Sequence, residues 1–397
     1  MMQHNMMRND VMGYSMTVRL SQTNPFIVGS YVSPEYFCDR ETEIDKLCQN
    51  LANGLNTVLL SPRRMGKTGL IQHLFHQSDL LRHFNCIYVD IFSTQSFEEF
   101  VYRLGQEVVN FFQKEEKWRD KLVRALRSLN FSVSYDPATN VPSIGFSFQD
   151  IRDPELTLSE IFTLLQSSDK RTVIAIDEFQ QILQYKKSGT EATLRSKLQL
   201  SNKVNMIFAG SEMHTLAAMF TSYVRPFYQS ATYLHLEAIE KSVYRTFATE
   251  KFEIYGKTLP SELFDAIYER FQGRTWYIHY VLNQVFSGMQ TGDLVSNELI
   301  TKTIDNLIDV QKVFFEDTLR SISPKQKLLL LAIATVGEAK EIQGVEFCSR
   351  FGLGAPASVQ AASKALAEKG LITKRDGSWT IEDFFLAEWL KKTHALR

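Results

Sequence analysis

The chain has 397 residues, 44% of them hydrophobic and 22% charged, with a formal net charge of −1. That length exceeds one ordinary core and predicts about two or three packed units, and the composition excludes a disordered or membrane-embedded chain. The near-zero net charge excludes a global electrostatic attraction to nucleic acid, so any such surface has to be local.

Residues 1–23 contain several Met and no clear period, so they read as a flexible N-terminal tail; they lack the apolar run of a signal peptide, and Met16 could be the real first residue. Residues 39–52 place Ile44, Leu47, Cys48 and Leu51 on one helical stripe, with Asp39 as N-cap. A short apolar strand at 57–60, the loop SPRRMGKT and a helix over 69–76 follow. Strand 86–91 and helix 97–112 make a second strand-helix unit, the kind that builds parallel sheets. Residues 130–148 alternate with period two around DPATNVP, which predicts a β-hairpin insertion on one edge of the sheet. Helix 156–166, buried strand 172–176, helix 192–200 and strand 204–209 resume the rhythm, and 233–236 is a last short strand.

Beyond Glu237 the strand patterns stop and helical ones run through SVYRTFATEKFEIYG, SELFDAIYERF and WYIHYVLNQVF. From there KQKLLLLAIATVG, EIQGVEFCSRFG and ASVQAASKALAEKG precede LITKRDGSWTIED, two strands around Asp376-Gly377, and helices followed by a hairpin predict a winged helix-turn-helix. The expected division is a tail over 1–23, an α/β unit over 24–236, a helical unit over 237–320 and a winged helix over 321–397. No apolar run is long enough to span a bilayer. Cys38, Cys48, Cys86 and Cys348 are scattered, with no CxxC pair and no His at metal-ligand spacing, as expected of reduced thiols in a cytoplasmic protein.

Two segments carry chemistry. Ser61 to Thr68 matches the P-loop pattern GxxxxGK[ST], with Ser61 in place of the first Gly. Ser61, Pro62, Arg63, Arg64, Met65, Gly66, Lys67, Thr68 and Gly69 are therefore the expected phosphate cradle: backbone N–H groups at a helix N-terminus face the anion, and Gly66 lets the chain curl around it. Lys67 would neutralise the β/γ oxygens and Thr68 would coordinate Mg²⁺. The run VIAIDEF then carries Asp177 and Glu178 to the C-terminal edge of a buried strand, where ligands of open α/β sheets sit. Asp177 would hold Mg²⁺ through water and Glu178 would orient and deprotonate the attacking water. Either motif alone has a plainer reading, a common GKT or a helix cap beside a strand. Their order, each after a buried strand, points to ATP or GTP. Ser211 could sense the γ-phosphate or serve a turn, Arg225 could be a finger or a solvated surface residue, and Arg63 and Arg64 could touch phosphate or pair with acids across the sheet.

The NPF opening, FCDRETEI, SPRRMGKT, VDIFSTQSFEEF, VIAIDEFQ, IFAGSEM, RPFYQS, GRTWYI and the IEDFFLAEWL ending occur in an order that resembles the AAA-type predicted ATPases of archaea and bacteria, relatives of the STAND signalling NTPases. The resemblance runs from Asn24 to the C-terminus. It implies an ASCE/AAA-like P-loop domain, its parallel sheet flanked by helices, then a helical lid and a winged helix, with ATP as ligand and nucleotide state coupled to conformation. Two departures stand out: Tyr228-Gln229-Ser230 where the family often has Tyr-Gly-Arg, and Gly273-Arg274-Thr275 where it has Gly-x-Pro. They imply that the usual finger or sensor arginine is missing, so that Arg225 replaces it or turnover is slow.

In the winged helix, residues 358–369 would be the groove-reading helix, exposing Gln360, Ser363 and Lys364, with Lys374 and Arg375 in the wing. This thin basic display leaves DNA binding and protein docking both open. Three functions remain: an ATP-hydrolysing machine or switch acting on an unknown macromolecular partner, a nucleotide-stabilised DNA-binding regulator with little catalysis, and a P-loop scaffold for assembly, a homo-oligomer included.

Overall fold

A computed structural model describes residues 24–114, 132–135, 142–186, 189–375 and 377–394. The tail, the hairpin turn over 136–141 and Asp376 lie outside the described residues. Among the described residues seven strands precede residue 236: β1 (Thr57–Leu60), β2 (Phe84–Asp90), β3 (Ser132–Tyr135), β4 (Pro142–Gly145), β5 (Arg171–Asp177), β6 (Val204–Gly210) and β7 (Thr232–His235). Five of them form one parallel sheet in the order β2-β5-β6-β1-β7. Strands β1, β5 and β6 are buried almost throughout, which is why they read as unbroken apolar runs instead of alternating ones. Because all five run the same way, the loops after β1, β5 and β6 leave the sheet along one edge, with β6 between the other two.

Around the sheet, helix Phe97–Phe112 is started by Ser96, whose hydroxyl accepts from the Glu99 N–H at 3.2 Å, and it buries Phe97, Phe100, Val101, Leu104, Val108 and Phe112 at helical spacing. Helix Glu41–Ala52 begins one residue later than an Asp39 cap would start it. Asp39 and Arg40 both take left-handed backbone, and neither side chain caps the helix. The expected hairpin exists as the antiparallel pair β3 and β4, but it does not extend the parallel sheet. It packs on helix Phe97–Phe112 instead: the ring of Phe146, just after β4, lies edge-on to Tyr102 at 5.4 Å and fills the space over Gly105.

Helices Lys241–Ile254, Ser261–Arg270, Thr275–Ser287 and Asn297–Arg320 follow, then Pro324–Val336, Val345–Phe351, Pro356–Glu368, strands β8 (Ile372–Arg375) and β9 (Ser378–Ile381), and helix Phe384–His394. Buried residues from Ile239 to Leu390 form one continuous cluster that also takes in Phe26 and Cys38. The chain entering the first unit is thus anchored in the core of the later ones. Ser363 is buried, its hydroxyl donating to the Gln360 carbonyl, so the expectation that it faces outward is wrong: position 363 turns inward beside Ala362 and Leu366. Among the described residues no helix is long and apolar enough to cross a membrane, and all four cysteines are free thiols.

His279 sits in this core with its Nδ1–H donating to the Ile27 carbonyl at 3.0 Å, while Nε2 has no partner among the described residues. Burial pulls its pKa down to about 4 from 6.5. The unfolded chain therefore binds a proton that the folded one refuses. Stability is expected to be full above pH 6.5 and to fall by up to about 3 kcal/mol as pH drops toward 4. Urea unfolding at several pH values checks this: His279→Leu should flatten that window, and an unchanged slope would assign the effect elsewhere.

Candidate active site

The loop after β1 turns on left-handed residues at Arg64 and Gly66, and helix Lys67–Phe75 starts directly from it, so Lys67 is the first helical residue. Ser61 is buried at the strand end and its hydroxyl turns back to the Pro62 carbonyl at 3.0 Å. Lys67 is 8% exposed, and its Nζ lies 2.5 Å from Asp177 Oδ1 and 3.1 Å from Glu178 Oε1. The Thr68 hydroxyl donates to Asp177 Oδ2 at 3.0 Å. Tyr88, on the neighbouring strand β2, donates to the same oxygen at 2.8 Å. Burial pushes the Tyr88 phenol far up and Asp177 adds to this, so it remains a donor. Nothing in CIYVDI singled out Tyr88; the parallel pairing of β2 with β5 brings it there.

Glu178 takes left-handed backbone directly after β5, which aims its carboxylate back over the sheet edge. Its Oε2 accepts from Gln180 Nε2 at 2.6 Å, from the Ser211 N–H at 3.1 Å and from the Ser211 hydroxyl at 2.9 Å. Burial pushes this carboxyl up, but the charge of Lys67 and the hydrogen bonds from Gln180, Ser211 and Lys67 outweigh it and hold the pKa below the usual range. Ser211 thus meets Glu178 across the edge of β6. Gly210 makes room for this arrangement. A methyl group there would stand 2.0 Å from Gln180 Oε1 and 3.2 Å from Leu216. Gly210→Ala is expected to cost about 1–3 kcal/mol by overpacking and to detach Gln180 from Glu178, read by chemical denaturation; wild-type stability would show that Gln180 does not need this gap.

A cavity of about 480 Å³ opens above these groups. Its polar end is formed by residues 62–69 with Glu178 and Ser211. The lining also includes Ile27, Val28, Tyr31, Tyr36, Phe37 and Ile239, apolar and aromatic side chains suited to a flat ring. The Tyr31 hydroxyl and His73 Nδ1 share a hydrogen bond at 2.9 Å, and Phe37 stacks on the His73 ring at 4.2 Å, so the helix that starts the cradle also supports these residues. Of these residues only Phe37 lies in a segment that carries the family resemblance, FCDRETEI; Ile27, Val28, Tyr31, Tyr36 and Ile239 have no motif to mark them.

Arg63 and Arg64 line the cavity and also make contacts beyond it. Arg64 pairs with Asp383 at 2.9 Å, donates to the Tyr277 hydroxyl and lies over the rings of Trp276 and Tyr277 at 4.4 and 4.6 Å. Its acidic partner is in the C-terminal unit, not across the sheet as expected. Arg63 reaches the Ser211 hydroxyl with Nε at 3.3 Å, while its carbonyl accepts from Arg274. Thr275 and Trp276 donate to the carbonyls of Met65 and Arg64, so the start of helix Thr275–Ser287 is tied to the loop. Arg225 does not line the cavity; it pairs with Glu191 at 2.8 Å on helix Thr190–Gln199.

A profile of an ATPase domain family, predominantly from Archaea, matches residues 37–281, and one of a probable winged helix domain matches residues 313–392. Comparison with curated proteins gave no match. Among solved structures, the chain is similar to the Walker-type ATPase of Pyrococcus abyssi, with a TM-score of 0.62 at 18% identity over 92% of this chain and 99% of that one. It is also similar to the Aeropyrum pernix ORC2 protein in its ADPNP and ADP complexes, with a TM-score of 0.58 at 15% identity over 94% and 96% of the two chains. The Aeropyrum pernix ORC1 protein in complex with DNA gives 0.51 at 15% identity over 94% and 96%. At these identities the likeness shows the shared fold.

Proposed function

Since the chain belongs to the family of ATPase domains found predominantly in Archaea, with a winged helix behind it, we propose that it binds ATP with Mg²⁺ in the 480 Å³ cavity and hydrolyses it. The observation that carries this reading is Lys67, a buried cation held between two carboxylates at the mouth of the cavity. The backbone N–H groups opening helix Lys67–Phe75 and the Lys67 ammonium would take the phosphates, and the lining from Ile27 to Phe37 would take the base. The Thr68 hydroxyl and the Asp177 carboxylate converge within 3.0 Å and are hard oxygen donors, a set that fits Mg²⁺, with Tyr88 fixing the carboxylate. Mg²⁺, when bound, neutralises charge on the phosphate oxygens.

Glu178 would take the proton of the attacking water. In the resting arrangement Lys67 occupies its Oε1 and three donors occupy its Oε2, so its basicity is low. Phosphate oxygens compete for Lys67 and for Ser211, and losing those donors restores the base. Arg225, engaged by Glu191, lies outside the lining, so arginine charge from within the chain would come from Arg63 and Arg64.

The output of the cycle lies in the packing of the C-terminal unit. Arg64–Asp383 and Arg274–Glu382 tie the cradle to that unit, whereas of the candidate groove-reading cations Lys364 lies beside Glu368 and Arg375 is engaged by Glu382, leaving Lys369 and Lys374 exposed, a thin positive display for phosphate-driven DNA binding. Phosphate release from ATP with Mg²⁺ and with EDTA tests the hydrolysis: Mg²⁺-dependent release is expected, and none in either condition would reduce the protein to a binder.

A further inference from the structure

The lid and the C-terminal unit enclose a second cavity, of about 330 Å³. Arg270, Gln272 and Arg274 reach it from the lid, and Arg375, Thr380 and Lys391 from the C-terminal unit. Arg274, itself in the lining, is 3% exposed and donates to Glu382 at 3.3 Å and to the carbonyl of Arg63, a residue of the first cavity. Arg375 uses the same carboxylate at 3.0 Å, which leaves two guanidiniums on one acid. Burial and then the repulsion of Arg375 lower the Arg274 pKa, and Glu382 offsets this only in part. Arg270 pairs with Glu388 at 3.2 Å, while among the described residues no carboxylate pairs with Lys391.

Against these stand Glu338 in the lining and the carbonyl end of helix Pro324–Val336, both of which attract Lys391. Four cations in the lining stand against Glu338 and Glu388 there and against Glu382, which lies outside the lining and is shared by Arg274 and Arg375, so cations outnumber carboxylates by one. Gln272 and Thr380 add polar side chains to the same lining. We propose that this cavity is a second anion site, distinct from the P-loop, which takes a small phosphate-bearing molecule of about pyrophosphate size between Arg375, Arg270 and Lys391. A phosphate would accept from the Arg375 fork and from the Lys391 ammonium, and it would relieve the crowding of two guanidiniums on Glu382.

Inorganic pyrophosphate titrated calorimetrically into full-length Lys67→Ala, where the P-loop lysine is gone, tests the site without relying on the ATPase reading. Binding is expected there, weakened at least tenfold by adding Lys391→Glu and retained with Lys391→Arg. In the otherwise wild-type chain, Lys391→Glu should remove one of two pyrophosphate sites, which keeps the test open if Lys67→Ala does not fold. Equal binding by the Glu and Arg variants, or a single wild-type site indifferent to Lys391→Glu, overturns the proposal. Displacement of pyrophosphate by a short DNA duplex also overturns it, since the phosphate would then belong to a nucleic-acid backbone.

Discussion

Lys67→Ala is expected to weaken MgATP binding by about 2–5 kcal/mol, roughly 30- to 5,000-fold, the usual effect of truncating one partner of a buried charge pair. The size follows from the site: Lys67 is 8% exposed, and it is the ammonium standing between Asp177 and Glu178. Its loss also changes the free protein. Glu178 is held below the usual carboxyl range despite its burial, so it contributes stability that is present above that range and lost as pH falls through its folded pKa. Without Lys67 the Glu178 pKa rises and that contribution shrinks, so the variant should lose stability at neutral pH and show a weaker dependence on acid. The rise in unfolding temperature produced by MgATP reads the affinity, because stabilisation follows the ratio of ligand concentration to Kd. A rise equal to wild type would remove Lys67 from the phosphate site.

Glu178→Gln is expected to keep MgATP affinity within a few-fold and to lower single-turnover hydrolysis by about 10²–10⁴, the usual contribution of a positioned base. The amide cannot take a proton from water. It also meets a mismatched shell, since the Ser211 and Gln180 groups around Oε2 all donate and Lys67 faces the other oxygen. One amide oxygen can satisfy the Ser211 side, but the amide nitrogen then turns to the Lys67 ammonium. A modest loss of stability should therefore accompany the loss of turnover. Quench-flow measurement of the first turnover separates chemistry from product release, and wild-type rates in this variant would take Glu178 out of the mechanism.

What the sequence made legible was whatever local pattern dictates. Buried parallel strands leave continuous apolar runs, so TVLL, VIAID and VNMIFAG were visible as strands, and the fold followed from the order of those strands and their loops. Lys67, Thr68, Asp177 and Glu178 stood out because spacing within one loop or at one strand end determines them. Tyr88 did not, because its contact with Asp177 depends on which strands are neighbours, and sequence order places β2 next to β5 no more than next to β1. The partner of Arg64 was equally hidden: Asp383 lies more than three hundred residues away, and only docking of the C-terminal unit brings them together. The hairpin was visible as alternation, yet its seat on helix Phe97–Phe112 depends on a gap at Gly105 that no period reveals. The 24-residue helix Asn297–Arg320 was not singled out because exposed Val310, Val313 and Phe314 blur its apolar stripe.

The central claim is that one ATP occupies the cavity lined by the loop after β1 and by the Ile27 to Phe37 segment. Titration calorimetry of MgATP into the wild-type chain and into Lys67→Ala tests it most directly. One site per wild-type chain, with heats that vanish at the same concentrations in the variant, is the predicted result. Equal affinity and stoichiometry in the two proteins would contradict it.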